Sequence, residues 1–136
     1  MDVSAQLKEW VQIYLKSRDI LQKTIAGFES LNGDFLVKKS SGDVLFLIRP
    51  ELRDVDEVVQ KAGSVGLVVL NTRKNVDFVV SNWDKLARLQ GLCIYFVNPK
   101  ANEKWLLYPF THNQVAEKVS LKRGLESLFS MVTAYT

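Results

Sequence analysis

The residues of this chain best suited to chemistry lie in one segment, GDFLVKKSSGDVLFLIRPE, at positions 33–51. Its two apolar runs flank a Ser-Ser-Gly turn, and this pattern predicts a β-hairpin. Asp34 stands at the beginning of the first run, and a carboxylate is the kind of oxygen ligand that Mg²⁺ prefers. Arg49 ends the second run, where a guanidinium at the rim of a sheet can fork onto a phosphate. The plainer alternative is that Asp34 only caps a turn through its own backbone.

Other chemical signals in the sequence are few. There is no GxxxxGK[ST] loop, no GxGxxG turn and no paired Cys-x-x-Cys, which disfavours nucleotide-binding and zinc sites. His112 is the only histidine, and it lies at a loop or helix start rather than beside Cys93, so no nucleophile–base pair is indicated. Cys93 is the only cysteine, and its apolar run predicts a small buried side chain. The tryptophans fall on apolar positions and are expected in the core: Trp10, Trp83 and Trp105.

Length and composition predict one globular domain over residues 1–136. The chain is 47% hydrophobic and 24% charged, which is ordinary for a domain with a single core. No apolar run is long enough to span a bilayer, and the start MDVSAQLKEW does not read as a secretory signal. A lone cysteine fits a reducing compartment, so we expect a cytoplasmic location.

The formal charge of +3 and the pI near 9.0 permit an anionic partner. Nucleic-acid binding requires several cations on one face, since single basic pairs are usually solvated surface. The candidate nucleic-acid-binding residues lie in and after the hairpin: Lys38, Lys39, Arg49, Arg53, Arg73 and Lys74. Lys122 and Arg123 form a further basic pair.

Periodicity predicts the elements that position these residues. A helix is expected over residues 6–22, followed by hairpin strands near 34–39 and 43–49 with Gly42 at positive φ in the turn. Asp54 is expected to cap a short helix, with Glu57 reaching back in a capping box. That helix has an apolar stripe of Val55, Val58, Val59 and Ala62, and it ends at Gly63.

Three further strands and two further helices follow. Strands are expected at 66–71, 93–98 and 104–108, a helix at 75–90 with a break near 81–82, and a last helix that Ser120 opens. The runs at 44–49, 66–71 and 92–97 lack alternation, which predicts neighbouring strands buried on both sides. The fold class is therefore α/β, with one mixed sheet flanked by helices.

The order of these elements resembles the PD-(D/E)XK nuclease-like fold, a restriction-endonuclease-like αβββαβ core. In that fold a helix precedes a hairpin that has an acid at the start of its first strand. The segment LARLQGLCIYFVNPKANEKWLLYP is similar to the helix, buried strand and Trp-bearing strand of archaeal Holliday junction resolvases. The resemblance covers about residues 5–110 and implies a DNA-processing role.

The resemblance assigns four positions to a degenerate catalytic site. Asp34 matches the metal-binding Asp, Leu47 falls at the second carboxylate and Arg49 at the lysine, while Glu9 matches an additional acid of resolvase-like members. One Mg²⁺ needs more than one carboxylate beside water and phosphate. Guanidinium, at its very high pKa, is a poor substitute for the lysine that activates water. The resemblance therefore implies an inactive site with no metal and no other cofactor.

Three functions remain open. The first is an inactive nuclease-like module that binds nucleic acid or scaffolds a DNA-processing complex. It predicts that Arg49 and the Lys38–Lys39 pair share a face near Asp34 and bind phosphate with a steep salt dependence.

The second is an active, Mg²⁺-dependent nuclease in which Asp43 or Glu51 replaces the missing ligand, with Lys39 nearby. The third is an interaction protein without a nucleic-acid role, for which a homodimer through an apolar helix face such as Leu125, Leu128 and Phe129 is one arrangement.

Overall fold

Three apolar runs of the sequence form the centre of one sheet in the computed structural model, which describes residues 2–61 and 63–136, and only the main chain at 118. They are β3 (Val44–Ile48), β4 (Val65–Leu70) and β5 (Leu92–Asn98), and adjacent strands pair in parallel. Every residue of β4 and β5 is buried, because helices cover both faces of the sheet. The prediction of three neighbouring covered strands is confirmed.

Antiparallel strands flank this centre. β1 (Ile25–Leu31) and β2 (Asp34–Lys39) precede β3 in a meander, and β6 (Glu103–Leu107) pairs with β5. The six strands of the described residues follow chain order across the sheet. Gly42 has a φ of 118° in the turn of the predicted hairpin.

The segment-by-segment interpretation missed β1. This strand lies at the sheet edge, most of its residues are half-buried or exposed, and a register shift interrupts it between Ile25 and Gly27. An edge strand needs no continuous apolar run, so the sequence signal that revealed the central strands is absent here. With β1 in place, the first six elements run α-β-β-β-α-β.

Helices cover the two faces unequally. Among the helices of the described residues, only α1 (Val3–Arg18) packs on one face, with Leu7 and Val11 fully buried against strand residues such as Phe35. The helices after β3 pack on the opposite face of the sheet. They are α2 (Asp56–Val59), α3 (Arg73–Ser81), α4 (Trp83–Leu86), α5 (Pro109–Val115) and α6 (Leu121–Ser130).

Several predicted helix boundaries need correction. α1 starts and ends about one turn earlier than expected, since the Asp2 carboxylate accepts a hydrogen bond from the Ala5 N–H and the chain turns at Asp19. The break near 81–82 is confirmed, with Asn82 between α3 and α4. α5 is a helix where only a loop or a helix start was expected. Ala62, the last residue of the predicted α2 stripe, lies outside the described residues.

The last helix is fully engaged within the chain. Leu125 is completely buried, Phe129 is 8% exposed and Leu128 packs against the same cluster. The alternative of a homodimer through this face is not supported, because its apolar side chains already form part of the core, while a homodimer through another surface stays a prediction.

A buried asparagine fixes the loop that follows β3. Asn75 donates from Nδ2 to the carbonyls of Pro50 and Leu70, each at 2.8 Å, and its Oδ1 accepts from the Leu52 N–H at 2.9 Å. The buried amide thus satisfies main-chain groups of two segments at once. The exit of β3, with Arg49 at its end, is held in place by this bridge.

No helix in the described part of the chain is long and apolar enough to cross a membrane.

Gly66 allows the closest contact between β4 and its neighbour. An added Cβ would lie 2.5 Å from the Phe46 ring, which stacks on Phe35 at a centroid distance of 5.0 Å. We expect Gly66→Ala to lower the free energy of unfolding by about 2 kcal/mol, because the added methyl would overlap the Phe46 ring and force it to shift. Urea denaturation measures this. Gly27→Ala is the matched control, since nothing lies within 4 Å of its added Cβ. Equal stability of the two variants would contradict the packing argument.

Candidate functional site

The Arg49 guanidinium is held between two carboxylates. It donates to Asp34 through Nη1 and Nη2 at 2.7 and 3.0 Å, and to Glu57 through Nε and Nη2 at 2.8 and 2.7 Å. All four carboxylate oxygens therefore accept a hydrogen bond from the same guanidinium. We call Asp34, Arg49 and Glu57 the arginine triad.

Strand geometry brings the triad together. Phe35 points to the α1 face, so Asp34 before it points to the opposite face, where Leu47 is buried. Phe35 pairs with Phe46, a register that places Asp34 beside Leu47, two residues before Arg49. Glu57 comes from the first turn of α2, which covers this face.

Main-chain contacts reinforce the arrangement. The Asp34 Oδ1 atom also accepts from the Ile48 N–H at 2.9 Å, and Arg49 Nη1 donates to the Ile48 carbonyl at 2.8 Å. The first strand of the hairpin is thereby fastened to the exit of the second. Asp34 does more than cap a turn: it joins β2, β3 and, through Arg49, α2.

The triad is partly enclosed, which strengthens its charges' mutual attraction. The side chains of Asp34, Arg49 and Glu57 are 18%, 30% and 42% exposed. The hydrogen bonds that Arg49 donates to Glu57 and, second, to Asp34 raise the pKa of Arg49 above its already high value. The hydrogen bond from Arg49 is also the main reason that the pKa of Glu57 is lowered. At neutral pH the triad has one cation and two anions.

Glu57 is the site residue that sequence reasoning misplaced. It was assigned to a capping box with Asp54, but α2 begins after Val55 and the Asp54 carboxylate accepts only from the Asp56 N–H at 3.1 Å. The Glu57 carboxylate instead binds Arg49. One sequence signal was available: Glu57 is an acidic residue in the first turn of the helix after β3. Because the helix dipole already stabilises an acid near the helix N-terminus, this signal did not point specifically to Arg49.

The remaining residues of the nuclease-like assignment do not complete a metal site. Leu47 is 3% exposed in the core and offers no ligand atom. Glu9 is exposed on α1, which covers the opposite face of the sheet from Asp34. The described residues contain no group of three or more His, Cys, Asp or Glu side chains arranged to hold a metal ion.

The acids considered as replacement ligands are engaged elsewhere. Asp43 pairs with Lys38 at 3.2 Å, at the far end of the hairpin, and Glu51 pairs with Lys74. Both carboxylate oxygens of Asp34 accept hydrogen bonds from Arg49, so a Mg²⁺ ion bound to either oxygen would have to displace the guanidinium from it. The residues present therefore do not fit the metal that the displaced-carboxylate alternative requires.

The predicted basic surface over Asp34 does not form. Lys38 lies four residues along β2 from Asp34, about 13 Å away at the usual strand rise. Lys38 is paired with Glu29 at 3.5 Å as well as with Asp43, and alternation places Lys39 on the other face. Lys38 shares the sheet face of Asp34 and Arg49 but lies at the far end of β2, and Lys39 lies on the other face, so the expected grouping of both lysines with Arg49 near Asp34 is wrong.

The other candidate cations lie near the carboxyl ends of β3 and β4. Arg53 is exposed in the loop before α2. Arg73 and Lys74 begin α3, where Arg73 pairs with Glu126 at 3.7 Å and lies over the Phe129 ring. The structure thus brings Arg49, Arg53, Arg73 and Lys74 to one edge of the sheet, with acids among them.

Histidine and cysteine chemistry is not indicated. The His112 ring contacts the edge of Trp83, at a centroid distance of 5.6 Å. Cys93 is buried, and desolvation raises the pKa of its thiol to about 11. Because its pKa is raised, the Cys93 thiol stays neutral at physiological pH, so it serves as a packing group rather than as a nucleophile.

No family model, curated protein or solved structure matches this chain.

The arginine triad predicts a specific response to losing its cation. We expect Arg49→Met to lower the free energy of unfolding by about 2 kcal/mol at pH 7, because two partly buried carboxylates would face each other unpaired. Thermal and urea unfolding measure the change. Arg53→Met, an exposed arginine four residues on, is the control and should change stability by less than about 0.5 kcal/mol.

The same variant predicts a pH dependence. The folded-state pKa of Glu57 is lowered, so its stabilising contribution is present above the unfolded-state pKa and lost as pH falls through the folded-state pKa. The stability difference between the natural protein and Arg49→Met should therefore be largest near neutral pH and shrink below about pH 4.5. A difference that stays constant from pH 7 to pH 3 would show that Arg49 stabilises only through packing.

Proposed function

We propose that this protein is a catalytically inactive PD-(D/E)XK nuclease-like module that acts by binding within a DNA-processing complex. In this proposal the Arg49 guanidinium occupies the space and supplies the positive charge that a metal ion and a lysine supply in an active site. The observation that carries it is the engagement of all four oxygens of Asp34 and Glu57 by Arg49.

Element order supports the resemblance. α1, the β1–β2–β3 meander, α2 and β4 follow the αβββαβ order that the resemblance implies. Asp34 begins the second strand of the meander, and Leu47 and Arg49 lie beside it on the same sheet face. These are the relative positions that the two ligands and the lysine would need.

Charge arguments support inactivity. Arginine keeps its proton at any physiological pH and here has two carboxylate partners, so it cannot act as a base for water. Leu47 cannot be exchanged for a carboxylate at low cost, since burying an unpaired charge in the core is strongly unfavourable. The site is stable as an ion-pair cluster and unsuited to hold Mg²⁺.

The nuclease test is direct. We expect no cleavage of duplex, branched or single-stranded DNA with Mg²⁺ or Mn²⁺, because the second carboxylate and the lysine are absent. Asp34→Asn, purified in the same way, is the control for a contaminating nuclease. Metal-dependent cleavage by the natural protein that disappears in Asp34→Asn would overturn the proposal and favour an active enzyme.

Direct nucleic-acid binding is the second candidate, and the cations at the carboxyl edge of β3 and β4 favour it. Because acids accompany Arg73 and Lys74, we expect modest affinity for DNA at about 20 mM salt and a loss of at least tenfold at about 150 mM. Fluorescence anisotropy with labelled duplex and branched DNA measures both values.

Variants locate this binding. Arg53→Glu with Arg73→Glu should weaken binding for every sequence alike. The matched control is Lys85→Glu with Arg88→Glu, a pair before β5 at the opposite end of the parallel strands. Equal effects of the two double changes would exclude the carboxyl edge as the binding surface. Absence of binding at low salt would leave a protein–protein interaction role.

A further inference from the structure

A cavity of about 390 Å³ opens on the α1 face of the sheet, away from the arginine triad. It lies between the C-terminal end of α1, the chain that leads into β1, and strands β2, β3 and β5. Val37, Val44 and Phe46 form part of its apolar wall. This volume is within the range of small-molecule sites, and polar side chains form much of the remaining wall.

The two cations that line this cavity form no salt bridge among the described residues. Arg18 and Lys39 line it, and no carboxylate of the described residues lies within 4.0 Å of either cation. Arg18 lies over the Tyr14 ring at 5.5 Å and donates to the Tyr14 hydroxyl at 3.3 Å. Neither cation therefore forms a salt bridge among the described residues, although the Asp19 carboxylate attracts Lys39 at longer range.

Among the described residues, the one acid that lines the cavity is Asp19, and its carboxylate already accepts hydrogen bonds from its own chain segment. Asp19 accepts from the Thr24 N–H and hydroxyl at 2.9 and 2.5 Å, and from the Ile25 N–H at 2.8 Å. These bonds fold the connection between α1 and β1. The hydrogen bonds of Asp19 thus go to Thr24 and Ile25, and its carboxylate forms no salt bridge with Arg18 or Lys39, although it attracts Lys39 at longer range.

Two phenol groups complete the polar part of the wall. Tyr95 is 6% exposed, while Tyr108 is half-exposed at the end of β6. Burial raises the pKa of both hydroxyls, so they remain neutral hydrogen-bond donors at any physiological pH. The cavity combines an apolar floor, neutral donors and a cationic rim.

We propose that this cavity binds a small amphipathic carboxylate, with its anionic group at Arg18 and Lys39 and its apolar body over Phe46 and Val44. A bidentate carboxylate suits the planar guanidinium, and the ammonium of Lys39 adds a second charge. The cavity volume suits a body that is a single aromatic ring or a short aliphatic chain. This site is independent of the proposed nuclease-like role, since it lies on the opposite face of the sheet from the arginine triad.

The experiment uses 4-phenylbutyrate as the probe and 4-phenylbutylamine as its charge-reversed analogue. Titrations followed by two-dimensional NMR of the full chain report both affinity and location. We expect a Kd of about 1 mM or tighter for the acid, in keeping with its size, and binding at least tenfold weaker for the amine. The largest shifts should fall on amides of residues around Val37, Val44 and Tyr95.

Three variants test the assignment. Arg18→Gln should weaken binding of the acid at least fivefold, whereas Lys16→Gln, in the same helix turn and outside this cavity, should leave it unchanged. Val44→Trp should abolish binding by filling the space. Thermal unfolding verifies that each variant is folded, and an unfolded Val44→Trp leaves the Arg18 and Lys16 comparison to decide.

The proposal is overturned by any of three results. These are equal affinity for acid and amine, an unchanged Kd in folded Arg18→Gln, or shifts confined to residues away from the cavity. None of these outcomes bears on the nuclease test, which concerns Asp34 on the other face.

Discussion

The need to cover both faces of three apolar strands dominates this structure. β3, β4 and β5 pair in parallel, and each parallel connection must leave the sheet and return along a covering segment. The segments with α2 and with α3 and α4 do this on one face, which leaves the other to α1. Leu47 lies in the middle of the covered layer. The burial that stabilises the sheet therefore makes this position unsuitable for an unpaired carboxylate.

The arginine triad lies at the rim of this covered layer, where Arg49 neutralises the partly buried carboxylates of Asp34 and Glu57. A guanidinium has five donors in a planar fork, and Arg49 uses them on two carboxylates and one main-chain carbonyl. A lysine at this position would be a point charge and could not match both carboxylates in two-oxygen contacts. The triad also links three successive elements, since Asp34 starts β2, Arg49 follows β3 and Glu57 starts α2. Its role within the fold follows from geometry whatever the protein binds.

Sequence reasoning recovered the parts of the fold that depend on strong local signals. The three apolar runs, Gly42 in the hairpin turn and the break before Trp83 were all predictable, because burial on two sides and positive φ leave clear residue patterns. The edge strand β1 was missed, since exposure on its face allows Glu29 and Ser30 among its apolar residues. The pairing of Glu57 with Arg49 was missed because it depends on how α2 packs, and the local capping pattern pointed elsewhere.

The two faces of the sheet also differ in how their charges are balanced, and this difference separates stability from binding. On the α2 face, Arg49 has two acidic partners and Lys38 has two, so their charges are largely spent within the fold. On the α1 face, Arg18 and Lys39 border an open cavity whose only lining acid holds a turn. A paired cation offers little new interaction energy to an anion, because the approaching group must compete with a carboxylate already in place. Among the described residues, Arg18 and Lys39 have no carboxylate within 4.0 Å, so an approaching anion has no salt bridge to displace there, although Asp19 attracts Lys39 at longer range. Counting basic residues in the sequence therefore directed attention to the hairpin, whereas the pairing of those residues directs it to the opposite face.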